Sequence, residues 1–433
     1  MSSFAETLSA TERKQARIYA YFACYFGCIS EVMIDSSAII ILYISMLGGN
    51  NMLVMLSTSL SGILNVLLLV PCAAAVTYIG MKKAVSIACI VGCCGFLLMA
   101  AAPMLGAYQK IAAMIGCTIY CAQRGLYSVT WYPMLDAFLL PQDRGRFFGT
   151  MRYSYMLISG ALFFMLGKLM GKNPPLLLMQ AIIAVTGILV LGRMFCMLRF
   201  PDNTIERTPK LKIRQALGIS IRNGPLVSYS VYVCLLSIAY TSLIPLTLLY
   251  LKNHIQLPAG QVQIFSTIGI AGSIMGFFLY GKLSDKFKIK YLELFVHVAF
   301  TLAAFAMALL NKNTTGFIYL AGFIYFMISY ASSTFLCNNS SELLALARPG
   351  NKPMAMAFLQ TYQNLGVALG RTGTAMILGA NLLAPGWQLG TMSISHYQTI
   401  FLLCGTIAAT ILILFPTLPA VVPKHKDYYA PFH

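Results

Sequence analysis

Apolar stretches of about 20 residues or more return twelve times along this chain, at roughly 18–47, 52–79, 84–106, 111–140, 148–171, 176–198, 225–250, 261–281, 290–310, 315–340, 354–383 and 396–420. At 1.5 Å rise per residue, about 20 such residues cross the hydrocarbon core of a bilayer, where a helix satisfies its own backbone hydrogen bonds. The fold class follows: an all-α membrane protein with 12 transmembrane helices. Composition agrees, with 58% hydrophobic residues, 10% charged residues and a mean hydropathy of +0.75, where a soluble domain carries about a quarter charged residues. The polar segment MSSFAETLSATERKQAR precedes the first run, which is too long for a signal-peptide core and lacks a convincing small-residue cleavage site, so it reads as a retained helix.

The net charge of +18 is distributed rather than pooled. Twenty-three of the 30 Lys and Arg residues fall on one side of the predicted spans, including the seven from Arg193 to Arg222, and five fall on the other. By the positive-inside rule both termini are cytoplasmic, and an even number of spans agrees. That placement argues for a lipid bilayer and against nucleic acid as partner, with the cell's inner (plasma) membrane and a monomer as the expectation. The 12 cysteines all lie in apolar spans, and Cys24/Cys28 and Cys117/Cys121 sit one turn apart with no His beside them. They read as compact packing residues, with no metal and no cofactor implied.

The longest polar stretch, 199–224, divides the spans six and six. The predicted organisation is a first bundle at 1–198, a cytoplasmic linker at 199–224 and a second bundle with a short tail at 225–433. A shift of 206 residues lays 131–160 on 337–366 without gaps, bringing Asp136 onto Glu342, Arg146 onto Lys352 and Gly160 onto Gly366. The halves therefore read as parallel repeats. Between spans 8 and 9, GKLSDKFKIK supplies Gly281, Leu283, Asp285, Lys286 and Lys290 in the spacing of the loop signature of the major facilitator superfamily, with Lys288 in place of its second Gly. The first-half copy is degraded, with Ala73 and Thr77 at the Gly and Asp positions, while PQDRGRFFG after span 4 is similar to the family's loop there. The whole chain resembles that superfamily, which implies two pseudo-symmetric six-helix bundles.

The resemblance also implies a cytoplasmic gate. Asp285 would cap the start of span 5 near Arg144, where a carboxylate meets free N–H groups and the positive helix end. Lys286 or Lys290 would approach Glu342, and Asp136 and Arg146 complete the charged set.

Glu31 and Asp35 share one helical face inside the first span, and acids in hydrocarbon mark functional sites. Counting from the cytoplasmic ends, Glu31 lies about 13 residues in and Arg124 of span 4 about 15, whereas Arg371 of span 11, about 17 in, matches Asp35 better. Two acids against two permanently charged guanidiniums balance the buried charge and suit a proton-coupling or substrate centre; a purely structural ion pair is the plainer reading. An acid in span 1 opposite an Arg in span 4 resembles proton-coupled members of the family. Polar and aromatic residues at helical spacing, Tyr120, Tyr127, Trp131, Tyr155, Tyr240, Asn338, Asn339, Gln360 and Asn364, are candidates to line a solute path. Glu293 and His297, early in span 9, are assigned a local, interfacial role.

The expected function is secondary transport of a small polar organic solute, sugar-like or an organic acid, by alternating access with H⁺ as coupling ion and Na⁺ left open. A drug or metabolite antiporter and a non-transporting sensor are the alternatives. Span 5 lacks the Gly-Pro signature frequent in the antiporters, which favours uptake. No HExxH, GxSxG or phosphate-loop pattern points to an enzyme.

Overall fold

The computed structural model describes residues 7–140, 144–201, 213–287, 289–346, 352–380, 382–390 and 392–415. The first half contains α1 (Ala10–Asp35), α2 (Ile39–Met46), α3 (Asn51–Ile79), α4 (Met81–Ala101), α5 (Gln109–Asp136), α6 (Arg144–Met170) and α7 (Leu176–Leu198). A short α8 (Ile213–Ile221) precedes the second half, which runs α9 (Gly224–Tyr240), α10 (Leu243–Asn253), α11 (Ala259–Lys286), α12 (Ile289–Leu309), α13 (Phe317–Leu346), α14 (Lys352–Gly379) and α15 (His396–Leu414). A small antiparallel hairpin, β1 (Gly386–Leu389) with β2 (Met392–Ser395), leads into α15, Gly386 pairing with Ser395.

Among the described residues, ten stretches are long and apolar enough to cross a membrane. One of them, Met81–Leu135, holds both α4 and α5, and α14 is a further 28-residue helix outside the set. Twelve spans are consistent with this, the first being α1 with α2 and the seventh α9 with α10. The first and last spans both open on a capping box, Ser9 with Glu12 and Ser395 with Gln398, which satisfies N–H groups the helix itself leaves open.

The repeat appears in the packing. In the first half α4 packs on α5 and α7, and α1 on α7 and α6; in the second, α12 packs on α13 and α15, and α9 on α15 and α14. These are the same neighbours at the same places in each set of six. The breaks repeat too. The first span is interrupted at 36–38 and the seventh at 241–242, equivalent to within about two residues under the 206-residue shift.

By contacts the chain forms two compact units, and their borders do not follow the midpoint. Unit 1 comprises Met1–Asn50, Ile63–Pro209 and Pro258–Ile264; unit 2 comprises Asn51–Gly62, Lys210–Leu257 and Phe265–His433. Each unit thus incorporates one helix end from the other half of the sequence. In unit 1 the Gly260 amide donates to the Gly171 carbonyl (2.7 Å), and a Cβ on Gly260 would strike the backbone of both Gly167 and Gly171. In unit 2 the first twelve residues of α3 are tied down at Asn51, whose amide donates to the Tyr397 hydroxyl (2.6 Å) and accepts from Asn253 (2.6 Å).

Candidate functional site

The site is built on the end of α1. Its helix stops at Asp35, because Ser36 and Ser37 both return their N–H groups to the Val32 carbonyl and the chain reorients before Ile39. Ala38, inside the break, donates its N–H to the Gln263 side chain at 3.1 Å. Asp35 is thereby held beside α5, where Arg124 meets it end on: Nη1 to Oδ1 at 2.9 Å and Nη2 to Oδ2 at 2.8 Å. Such a two-bond fork is the strongest geometry available to this pair of groups. The side chains are 30% exposed for Asp35 and 18% for Arg124, so the pair is sheltered yet in reach of water.

One turn earlier, Glu31 pairs with a different guanidinium. Oε1 lies 2.7 Å from Nη1 of Arg193 on α7, whose Nε donates to the Ala23 carbonyl at 3.3 Å. The same guanidinium stacks over the Tyr127 ring at 4.0 Å, and Tyr127 leans on Trp131 (5.6 Å between centroids). Gly27 makes this possible, because a Cβ there would fall inside the Arg193 guanidinium. Beside it, the Tyr120 hydroxyl donates to Ser30 (2.8 Å), which donates to the Gly27 carbonyl (2.7 Å). Along one face of α1 run two acids, each matched by an Arg.

The pairing differs from the depth count, which set Glu31 against Arg124 and Asp35 against Arg371. The observed partners are Arg193 for Glu31 and Arg124 for Asp35. Arg193, which the charge count places on the cytoplasmic side, is buried at 3% exposure within α7. Depth along a helix says nothing about which neighbour a side chain faces, and α1 packs directly on α7. The signal was present: Arg193 is flanked by apolar residues on both sides, five positions before the helix end.

Arg371, the other expected guanidinium, lies in unit 2, where two of its nitrogens donate to backbone carbonyls. Nη1 donates to the Thr58 carbonyl at 2.6 Å and Nε to the Thr241 carbonyl at 3.1 Å, at the break of the seventh span. Of the expected lining residues, Tyr127 and Tyr155 are half-buried, and Gln360 and Asn364 are half-buried and joined to one another through the Asn364 amide and the Gln360 carbonyl (2.8 Å). Tyr240 is buried, stacked on Phe300 at 4.3 Å. Asn338 and Asn339 are also buried, and each bonds through one amide atom to Glu293 or Tyr229 inside the second half, leaving Asn338 Oδ1 and Asn339 Nδ2 without a partner. Glu293 and His297, expected in a local, interfacial role, are both at most 1% exposed, facing Tyr232 of α9, Asn338 of α13 and Ala408 of α15.

The sequence profile of the Major Facilitator Superfamily matches residues 21–371. The chain belongs to that superfamily. Its fold is similar to a D-xylose-proton symporter (TM-score 0.73, 12% identity, covering 95% of this chain and 98% of the other). It is also similar to a variant of the nucleoside transporter NupG (0.71, 15%, 94% and 99%) and to the xylose transporter XylE from E. coli in an inward open conformation (0.63, 12%, 96% and 95%). No curated protein matched the sequence.

In this superfamily member the expected gate falls mostly outside view. The side chains of Asp136, Arg144, Arg146 and Asp285 lie outside the described residues; the backbone places Asp136 at the end of α5 and Arg144 at the start of α6. Lys286 is exposed at the end of α11, Lys290 lies over the Tyr291 ring at 5.1 Å, and Glu342 is buried on α13.

Proposed function

We propose that this multi-pass membrane protein is a proton-coupled secondary transporter that takes up a small polar organic solute, sugar-like or an organic acid, by alternating access. The observation that carries this reading is the pair of acid–guanidinium contacts one turn apart on α1, with both acids 30% exposed. A guanidinium stays charged at any physiological pH, so the carboxylate is the partner that can change. A proton arriving at Asp35 discharges the pair and leaves Arg124 with an uncompensated charge in a sheltered site, which is costly. Arg124 then seeks a new acceptor, and a hydroxyl-rich or carboxylate-bearing solute supplies one. Glu31 and Arg193 repeat the arrangement one turn closer to the N-terminus, with Tyr127 and Trp131 as rings for the apolar faces of a solute.

A symporter of D-xylose with protons and a nucleoside transporter are among the proteins of similar fold, which supports a polar, hydroxylated solute. The charge asymmetry supports a plasma-membrane protein with both termini in the cytoplasm and two six-helix bundles joined through 199–224. The test is uptake by proteoliposomes of sugars, nucleosides and organic acids under an imposed pH gradient, an imposed Na⁺ gradient or neither. Accumulation driven by the pH gradient is the expected result; accumulation that follows only Na⁺, or flux indifferent to both, overturns proton coupling.

A further inference from the structure

A second group of buried acids and amides lies in the other half, and the charge centre on α1 does not use it. Glu293 and His297 sit one turn apart on α12, Asn338, Asn339 and Glu342 on α13, and Tyr229 and Tyr232 on α9, all buried. Asn338 Nδ2 donates to Glu293 Oε2 at 2.8 Å, and the Tyr229 hydroxyl donates to Asn339 Oδ1 at 2.7 Å. Glu293 Oε1 and Asn338 Oδ1 have no hydrogen-bond partner, so two acceptors stand idle on two side chains already joined to each other.

One neighbouring donor, Asn339 Nδ2, is idle as well but bonds to neither of them, and the other neighbours are committed elsewhere. His297 Nε2 lies 2.8 Å from the Ala408 carbonyl of α15, which can only accept, so Nε2 carries a hydrogen and in the neutral ring Nδ1 is an acceptor. The Tyr232 hydroxyl, 3.3 Å from Nδ1, supplies that acceptor. Tyr232 also approaches Glu293, but one hydroxyl proton cannot serve both. Tyr229 is committed to Asn339, and Glu342, one turn beyond Asn338, is another acid. Both His297 contacts are met by a neutral ring, and a charged imidazole buried here would carry the cost of a desolvated ion, so the neutral ring is the form that fits. A buried ionised carboxylate with an idle oxygen costs several kilocalories per mole, and an idle buried amide oxygen adds to that.

We propose that Glu293 is a proton-binding site, occupied as a neutral carboxylic acid whose Oε1–H donates to Asn338 Oδ1, closing a two-bond ring with the amide. One proton satisfies both idle atoms. This site is separate from Glu31 and Asp35, and does not depend on the transport reading.

The test is infrared spectroscopy of the purified full-length protein in lipid at neutral pH, with melting temperatures measured alongside. The wild type is expected to give a protonated-carboxyl carbonyl band that is lost in Glu293→Gln. Because a Gln amide rebuilds the ring with Asn338, that variant is expected to melt with the wild type, whereas Glu293→Ala and Asn338→Leu shift the melt downward. A wild-type band unchanged in Glu293→Gln overturns the proposal, as does a Glu293→Gln melt as low as that of Glu293→Ala. A Glu293-dependent rise in melting temperature with Na⁺ overturns it in favour of a metal cation bridging Oε1 and Oδ1.

Discussion

The two halves of this superfamily member share helix neighbours and the position of one broken span, yet they treat buried carboxylates in opposite ways. On α1 each acid meets an arginine and keeps about a third of its surface open. On α12 and α13 the acids are closed in among amides, phenols and an imidazole. The first arrangement keeps charge and water close together, so a proton can reach it and alter it. The second shuts water out, and neutrality is what fits it. Duplicated architecture thus holds one carboxylate site matched by arginines and partly open, and one closed in among uncharged partners.

The strongest way to break this contrast is Asp35→Ala. It leaves Arg124 without its bidentate partner, and removing one member of a sheltered pair costs about 3 kcal/mol. Transport is expected to be lost and the melt lowered, with much of the stability returning in the double variant Asp35→Ala/Arg124→Ala, as a thermal double-mutant cycle checks. Full stability in the single variant contradicts the pairing. Glu31→Gln is expected to abolish gradient-driven accumulation while sparing solute exchange, measured in the same vesicles with and without the pH gradient. A milder probe is Gly27→Ala, which forces the Arg193 guanidinium aside; overpacking of this kind costs about 1–3 kcal/mol, visible in the melt, and reduced accumulation should accompany it.

The smallest effect lies outside both sites. His254, just past α10, has its pKa lowered from the ordinary histidine range by burial and by the neighbouring positive groups His396 and Lys312. The folded state therefore binds this proton less readily than the unfolded chain does. The His254 contribution is complete above the unfolded pKa of about 6.5 and is lost as pH falls through the folded value. A His254→Gln variant is expected to flatten the melting profile slightly below about pH 6.5. Subtracting it sharpens whatever pH dependence the two carboxylate sites contribute.

Much of this was legible from residues alone. Twelve apolar runs, the 206-residue offset and GKLSDKFKIK led to the architecture, and the i, i+4 placement of Glu31 and Asp35 marked the face that carries the charge centre. Partner choice was less legible. It depends on rotation about each helix axis and on which helices touch, and counting residues from a membrane surface records neither. In sequence Arg193 is continuous with the loop arginines that follow it, and only its place inside α7 sets it apart. Asn338 and Asn339 have the composition of a solute-binding pair, but Glu293 and Tyr229, more than forty residues away in sequence, had already engaged them.

The course of α3 crosses the border between the two units. Its first twelve residues are built into one unit and the rest into the other, with Gly62 at the junction, packed where a Cβ would lie 3.0 Å from the Ala368 amide nitrogen. A single helix therefore belongs to both units, so neither unit is the product of one half of the chain alone.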